Sequence, residues 1–297
     1  MDVTLLTDAR YLNPSKIDWY VQNILDEDTL VKNALEKRGL TVARTNWDNP
    51  NFDWTKTRFA LFRATWDYFD RFQEFSVWLN SVNTKTQLIN PLSLVRWNMD
   101  KHYLHDLHLR GINIPPTVFV EVGEARSLSE IVKNTGWKDC ILKPAVSGSA
   151  RHTYKLSSSN LEKHEEIFRS LIAVESMLLQ KFQQHVLTKG EVALMLFGGK
   201  FSHAVLKKAK AGDFRVQDDF GGTLHEYTPT LSEINFVERI VSTCNPLPAY
   251  ARVDVIWDNH NELCVSELEL IEPELWFRKH MPAADAFATA VQKEMEK

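Results

Sequence analysis

The chain has 297 residues, 44% of them hydrophobic and 25% charged, with a formal net charge of −4. That length accommodates two or three α/β lobes, the composition is that of a globular protein, and the missing basic surplus argues against nucleic acid as a partner. No apolar run approaches the length that spans a bilayer and the first residues lack a basic, cleavable leader pattern, so a cytoplasmic location without a membrane partner is expected.

Strand and helix alternate over the first ninety or so residues. VTLLT predicts a strand, the stretch from about Trp19 to Arg38 a helix closed by Gly39, and LTVAR a second strand, which together make a βαβ unit. FALFR predicts another strand and the residues from about Tyr68 to Asn80 another helix, giving a small sheet with helices on its faces. Asn90 and Pro91 mark a boundary. In WNMDKHYLHDLHLRG, Trp97, Leu104 and Leu107 fall at helical spacing and Gly111 closes the run, after which PPTVFV predicts a strand. A helix opened by Ser127 or Ser129 runs towards Gly136. The strand DCILKP, the loop VSGSA, the strand RHTYKL and a helix opened by Ser159 or Asn160 then complete a small lobe ending near Val174. The last lobe is expected to begin with MLLQKF, to pass through EVALMLF and KFSHAVLKK joined at Gly198 and Gly199, and to carry a polar loop from about Ala209 to Gly222. The expected division is therefore residues 1–92, 93–175 and 176–297.

The most informative chemistry lies near the C-terminus. ARVDVIWD and CVSELELIEP predict strands joined through DNHNEL as a hairpin. Alternation along a strand puts Glu267 and Glu269 on one face, and pairing can bring Asp254 beside them. Two carboxylates about 4 Å apart repel by roughly 4 kcal/mol at an effective dielectric near 20, so such a cluster needs protons or cations, and all-oxygen ligation suits Mg²⁺. An edge strand with outward-facing acids is the alternative. Lys143 ends a strand beside the loop Val146 to Ala150, where Ser147, Gly148 and Ser149 let backbone N–H groups approach a phosphate closely, although the GxxxxGK[ST] pattern is missing. Arg215 sits in the glycine-flanked loop GDFRVQDDFGG, either a lid or an ordinary surface loop. Glu191 either accepts from ribose hydroxyls or simply begins a strand. Cys140, Cys244 and Cys264, odd in number and widely spaced, are expected to be buried free thiols.

Taken in order, DK, LKP with its Gly/Ser loop, LLQKF, KGE, FR…GG and RVD…SELE resemble the ATP-grasp superfamily across roughly residues 93 to 275. DARYLNP, RATWDYFDRF and NPLSLVRWNMDKHYL resemble the glutathione-synthetase-like branch that includes D-cycloserine ligase. The resemblance implies an α/β chain with α+β lobes, an N-terminal βαβ lobe followed by two lobes that sandwich ATP. It implies that Lys101 and Lys143 contact phosphates, that Gln180, Lys181 and Phe182 form the adenine hinge, and that Glu191 holds the ribose. Asp254, Glu267 and Glu269 would ligate two Mg²⁺ ions, with Mn²⁺ as an allowed substitute, and Arg215 would face the transferred phosphoryl group. Many relatives carry Asn where this chain has Glu269, which adds a negative charge to the metal site.

The implied activity is a carboxylate-amine ligase that activates a small, amino-acid-like substrate as an acyl phosphate. An intramolecular cyclo-ligase like D-cycloserine ligase and a non-catalytic nucleotide-binding protein are the alternatives, and homodimer formation is left open. Arg63, at the end of FALFR, is the expected anchor for a substrate carboxylate, with Trp66, Asp67 and Tyr68 in the loop that follows.

Overall fold

A computed structural model describes residues 1–217 and 220–297. Asp218 and Asp219, inside the arginine-bearing loop, lie outside the described residues.

Three sheets organise the chain. The first is parallel, in the order β2-β1-β3-β4, from β1 (Val3–Thr7), β2 (Val42–Asn46), β3 (Phe59–Phe62) and β4 (Gln87–Ile89). All five residues of β1 and all four of β3 are buried, as a sheet covered on both faces requires. The helix Trp19–Glu36 connects β1 to β2, its N-terminus capped by the Asp18 carboxylate.

The second sheet is antiparallel, in the order β5-β8-β6-β7, from β5 (Thr117–Val120), β6 (Asp139–Pro144), β7 (Tyr154–Ser157) and β8 (Met177–Lys181). Here the expected division needs correcting. MLLQKF does not open the last lobe; as β8 it runs between β5 and β6, so the middle lobe extends beyond residue 175. The third sheet, also antiparallel, runs β11-β10-β9-β12-β13, from β9 (Glu191–Phe197), β10 (Lys200–Lys208), β11 (Thr223–Glu226), β12 (Tyr250–Trp257) and β13 (Leu263–Glu269).

Other differences have local causes. The single helix expected through WNMDKHYLHDLHLRG is two, Leu92–Asn98 and Tyr103–Leu109. Between them the Lys101 N–H donates to the Ala145 carbonyl, and the Asn98 side chain bonds the backbone of Leu268 and Leu270 at the end of β13. Tertiary hydrogen bonds thus interrupt a run whose apolar spacing continues unbroken. The helix after β7 begins at Glu165, beyond a short 3₁₀ turn at Glu162–His164.

Two helices without a sequence-level expectation, Leu231–Ser242 and Ala283–Met295, belong to the last lobe. The second reaches back to the first lobe: Phe287 and Val291 share one core with Val3, Leu5 and Val31, and Arg38 donates to the Asp285 carbonyl. First and last lobes therefore share a continuous apolar core, while the middle lobe has one of its own around Phe168. The three cysteines are buried and free. Among the described residues no helix is long and apolar enough to cross a membrane.

Candidate functional site

A cavity of about 270 Å³ opens where the three sheets meet. It is lined by Lys101, Lys143, the loop Ser147 to Ala150, Gln180 to Gln183, Glu191, Arg215, Asp254, Glu267 and Glu269, together with Tyr20, Trp66, Glu272, Glu274 and Trp276. The structure thus brings together every expected site residue except Arg63.

The acidic cluster follows from strand register. Asp254 on β12 lies opposite Glu267 on β13, and oxygens of Asp254, Glu267 and Glu269 all fall within 4.8 Å of one another. Sequence reasoning missed two cations that share their charge. Arg252, two residues before Asp254 and hence on its face of β12, donates to the two Asp254 oxygens at 2.9 and 3.0 Å and also pairs with Glu269. Lys207, at the end of β10, bridges Glu191 at 2.6 Å and Asp254 at 2.7 Å. Lys101 binds Glu267 at 3.1 Å and donates to the Ser147 carbonyl. Burial pushes Asp254 and Glu267 upward, but Arg252 and Lys207 on the first, and Lys101 and Lys143 on the second, outweigh it and hold both carboxyls below their ordinary range. Glu269 goes the other way. Its burial, reinforced by Glu267 and Asp254, outweighs Arg252 and lifts it to about 8. The donor set, three carboxylates around one point, fits a hard divalent cation.

Lys143 differs from the other three cations. Among the described residues no carboxylate lies within ion-pair distance of it, and burial lowers its pKa to about 8. It stands at the end of β6, next to a loop in which Ser149 and Ala150 adopt left-handed backbone, at φ 48° and 54°. The N–H groups of Gly148, Ser149 and Ala150 have no acceptor among the described residues. A Cβ at Gly148 would lie 2.5 Å from the Phe69 ring, so glycine there lets this loop pack on the first lobe. Gly190 plays a comparable part at the start of β9. Its φ of 81° and the adjacent Lys207 carbonyl leave no room for a side chain, which sets Glu191 beside Lys207.

In the segment expected to form the adenine hinge, Gln180 is buried and its amide donates to Thr117 at 3.0 Å. The N–H groups of Lys181 and Phe182 already donate to the carbonyls of Pro116 and Asp139. The next N–H, that of Gln183, has no acceptor among the described residues, so the donor left for a ligand lies one residue beyond the expected segment. The Phe182 ring is held between Lys155, whose ammonium lies 3.9 Å from the ring centre, and Phe214. Glu191 is engaged on both oxygens, by Lys207 and by the Ser266 hydroxyl at 2.7 Å. Arg215 lines the cavity, paired with Asp213 at 2.7 Å and stacked over Phe220.

Arg63 is placed elsewhere. It is 3% exposed, bound to Glu27 at 2.8 Å and Asp28 at 3.3 Å, and lies over the rings of Phe277 and Phe287. The small space beside it, about 10 Å³, has room for a single water. The end of β3 does carry this arginine, as expected, but Glu27 and Asp28 on the preceding helix draw its guanidinium into an interior ion pair and away from the large cavity.

A family model for the N-terminal domain of the D-cycloserine synthetase DcsG matches residues 3–90. The chain is 27% identical to the cycloserine biosynthesis protein DcsG of Streptomyces lavendulae, with 99% of each covered. A crystal structure of D-cycloserine synthetase DcsG superposes with a TM-score of 0.85 at 25% identity, covering 99% of this chain and 100% of that one. An ATP-grasp RimK domain protein of Sphaerobacter thermophilus gives 0.68 at 17% identity, with 98% of each chain covered. The D-alanine–D-alanine ligase of Bacillus anthracis, complexed with ATP, gives 0.67 at 15%, covering 99% of this chain and 97% of that one. The last two likenesses speak for the fold.

Proposed function

We propose that this chain, whose fold is that of ATP-grasp proteins, is an ATP- and magnesium-dependent ligase acting on a small, amino-acid-like substrate. The observation that carries this reading is the placement, across one cavity, of a three-carboxylate cluster and a lysine that has no ion pair among the described residues. Lys143 and Lys101 hold the phosphates of ATP, the main chain at Gln180 to Gln183 receives the base, and Glu191 faces the ribose. Magnesium, two ions in our reading, would be held by Asp254, Glu267 and Glu269 and would offset charge on the phosphates.

The reaction then follows from charge. A substrate carboxylate oxygen attacks the γ-phosphorus, the bond from that phosphorus to the ADP oxygen breaks, and an acyl phosphate results. An amine attacks the activated carbon and inorganic phosphate leaves. Lys143, Lys101 and Arg215 offset the charge that builds on the transferred group, and no covalent enzyme nucleophile is needed. The full-length likeness to DcsG favours a ring-closing version, in which activated group and attacking nitrogen belong to one molecule.

Incubation with Mg-ATP, a pool of amino acids and hydroxylamine tests this. ATP-dependent ADP release is the expected result, with hydroxamate formed where the acyl phosphate is open to an outside amine. ADP release without hydroxamate would favour ring closure, and neither product despite tight ATP binding would favour the non-catalytic alternative.

A further inference from the structure

The turn between β12 and β13, DNHNEL in the sequence, lies outside the cavity lining. It is rigid by construction. The Asp258 carboxylate accepts from the N–H groups of His260 and Glu262 at 2.8 and 2.9 Å, the Asp258 carbonyl accepts from the Asn261 N–H at 2.9 Å, and Asn261 takes the left-handed backbone, φ 66°, that closes such a turn. From this frame the exposed Asn259 reaches across to the segment that follows β8. Its side-chain amide donates to the Phe182 carbonyl at 2.9 Å and accepts from the Gln184 N–H at 2.8 Å, and its own N–H donates to the Gln183 side chain at 2.9 Å. The other end of that side chain donates to the Lys181 carbonyl at 2.7 Å. The His185 ring adds a further bond between segment and turn, donating to the Asp258 carbonyl at 2.6 Å.

These bonds leave one donor over. The N–H groups of Lys181, Phe182 and Gln184 and the carbonyls of Lys181, Phe182 and Gln183 all have partners, the Gln183 carbonyl through the Val186 N–H at 3.3 Å. Between them stands the Gln183 N–H, without an acceptor among the described residues, in a residue that lines the cavity and is 5% exposed. With the peptide groups on both sides of it bound, the direction of this donor is set before a ligand arrives, and such prior ordering is what strengthens a single hydrogen bond to a ligand.

We infer that Asn259 is a positioning residue for nucleotide binding: acting through Phe182, Gln183 and Gln184, it aims the Gln183 N–H at an unprotonated ring nitrogen of the purine base. The inference rests on the nucleotide part of the ligase reading and adds to it a residue from a different sheet that stands outside the cavity lining. It also ties the second sheet to the third at the base-binding end, since Asn259 is on the β12–β13 turn and Gln183 follows β8. A base presenting N–H at that position would set donor against donor, so the arrangement selects for an acceptor edge.

The test is calorimetric titration of the full chain, in Mg²⁺, with ADP and with its 1-, 3- and 7-deaza analogues, each of which replaces one ring nitrogen by C–H. One analogue should bind about tenfold more weakly than ADP. In Asn259→Ala that difference should shrink to within about twofold, because ADP loses affinity while the affected analogue binds both proteins alike. His260→Ala, which alters the same turn and removes no hydrogen bond to the segment, should keep the full difference. Equal binding of ADP and all three analogues would overturn the inference, as would a difference that Asn259→Ala leaves undiminished. In either case ADP that still binds leaves the nucleotide reading intact, whereas failure of ADP to bind removes that reading and this inference together. Should Asn259→Ala not fold, Gln183→Met cuts the bonds to Asn259 and Lys181 from the other side and should shrink the difference in the same way; an undiminished difference there contradicts the role of Asn259.

Discussion

The two ends of the cavity are built on opposite principles. Near the third sheet Asp254, Glu267, Glu269 and Glu191 are each tied to Arg252, Lys101 or Lys207, and the group left over among the described residues is a cation, Lys143. Near the first lobe the group left over among the described residues is an acid, Glu272, with the Trp276 N–H beside it. Leftover charge is informative because a half-buried ion without a partner is costly, so each sign indicates what a ligand should bring. Lys143 calls for an anion and Glu272 for a cation. The paired groups, by contrast, lock geometry: Arg252 and Lys207 hold Asp254 in place whether or not a ligand is bound.

The comparison is broken most severely by Glu267→Gln, which removes one member of the acidic cluster while sparing the core. Turnover should fall by about 10²–10³ or more with an unchanged melting profile, and retained ADP release would count against the cluster as metal site. A second test concerns what a buried, ion-paired charge does. Arg63→Met leaves Glu27 and Asp28 without their arginine, though Arg44 still holds Asp28, so a loss of about 3 kcal/mol in denaturant stability is expected while substrate KM stays nearly constant. The reverse pattern, intact stability and a raised KM, would return Arg63 to the binding site.

A smaller effect is expected for Lys143→Ala, about tenfold weaker ATP binding by calorimetry. The sign of its pH dependence follows from burial, which lowers the lysine to about 8 and so favours loss of its charge above that value. Affinity for ATP should therefore be full below pH 8 and decline above it, with proton uptake on binding detectable as a difference in heat between two buffers. Lys143→Ala should show neither the decline nor that uptake.

How much of this was readable from sequence depends on the range over which each feature is determined. The parallel sheet and most strands followed from local apolar runs, and the acidic cluster from alternation within one hairpin. Arg252 obeys the same alternation, two residues before Asp254, and could have been found by it. Lys207 could not, because its place depends on the register of β10 against β9 and of β9 against β12. The sheet membership of β8 was lost for a similar reason, since an apolar run does not state which sheet it joins. Arg63 was correctly placed at a strand end, but its side chain went to acids on a helix that local pattern does not connect with it.

The most direct measurement for the account as a whole is ADP release from Mg-ATP in the presence and absence of individual free amino acids and their derivatives. Stimulation by a compound carrying a free amine, lost in Glu267→Gln, is the predicted result. ADP release that no added compound stimulates, in a protein that binds ATP tightly, would contradict it.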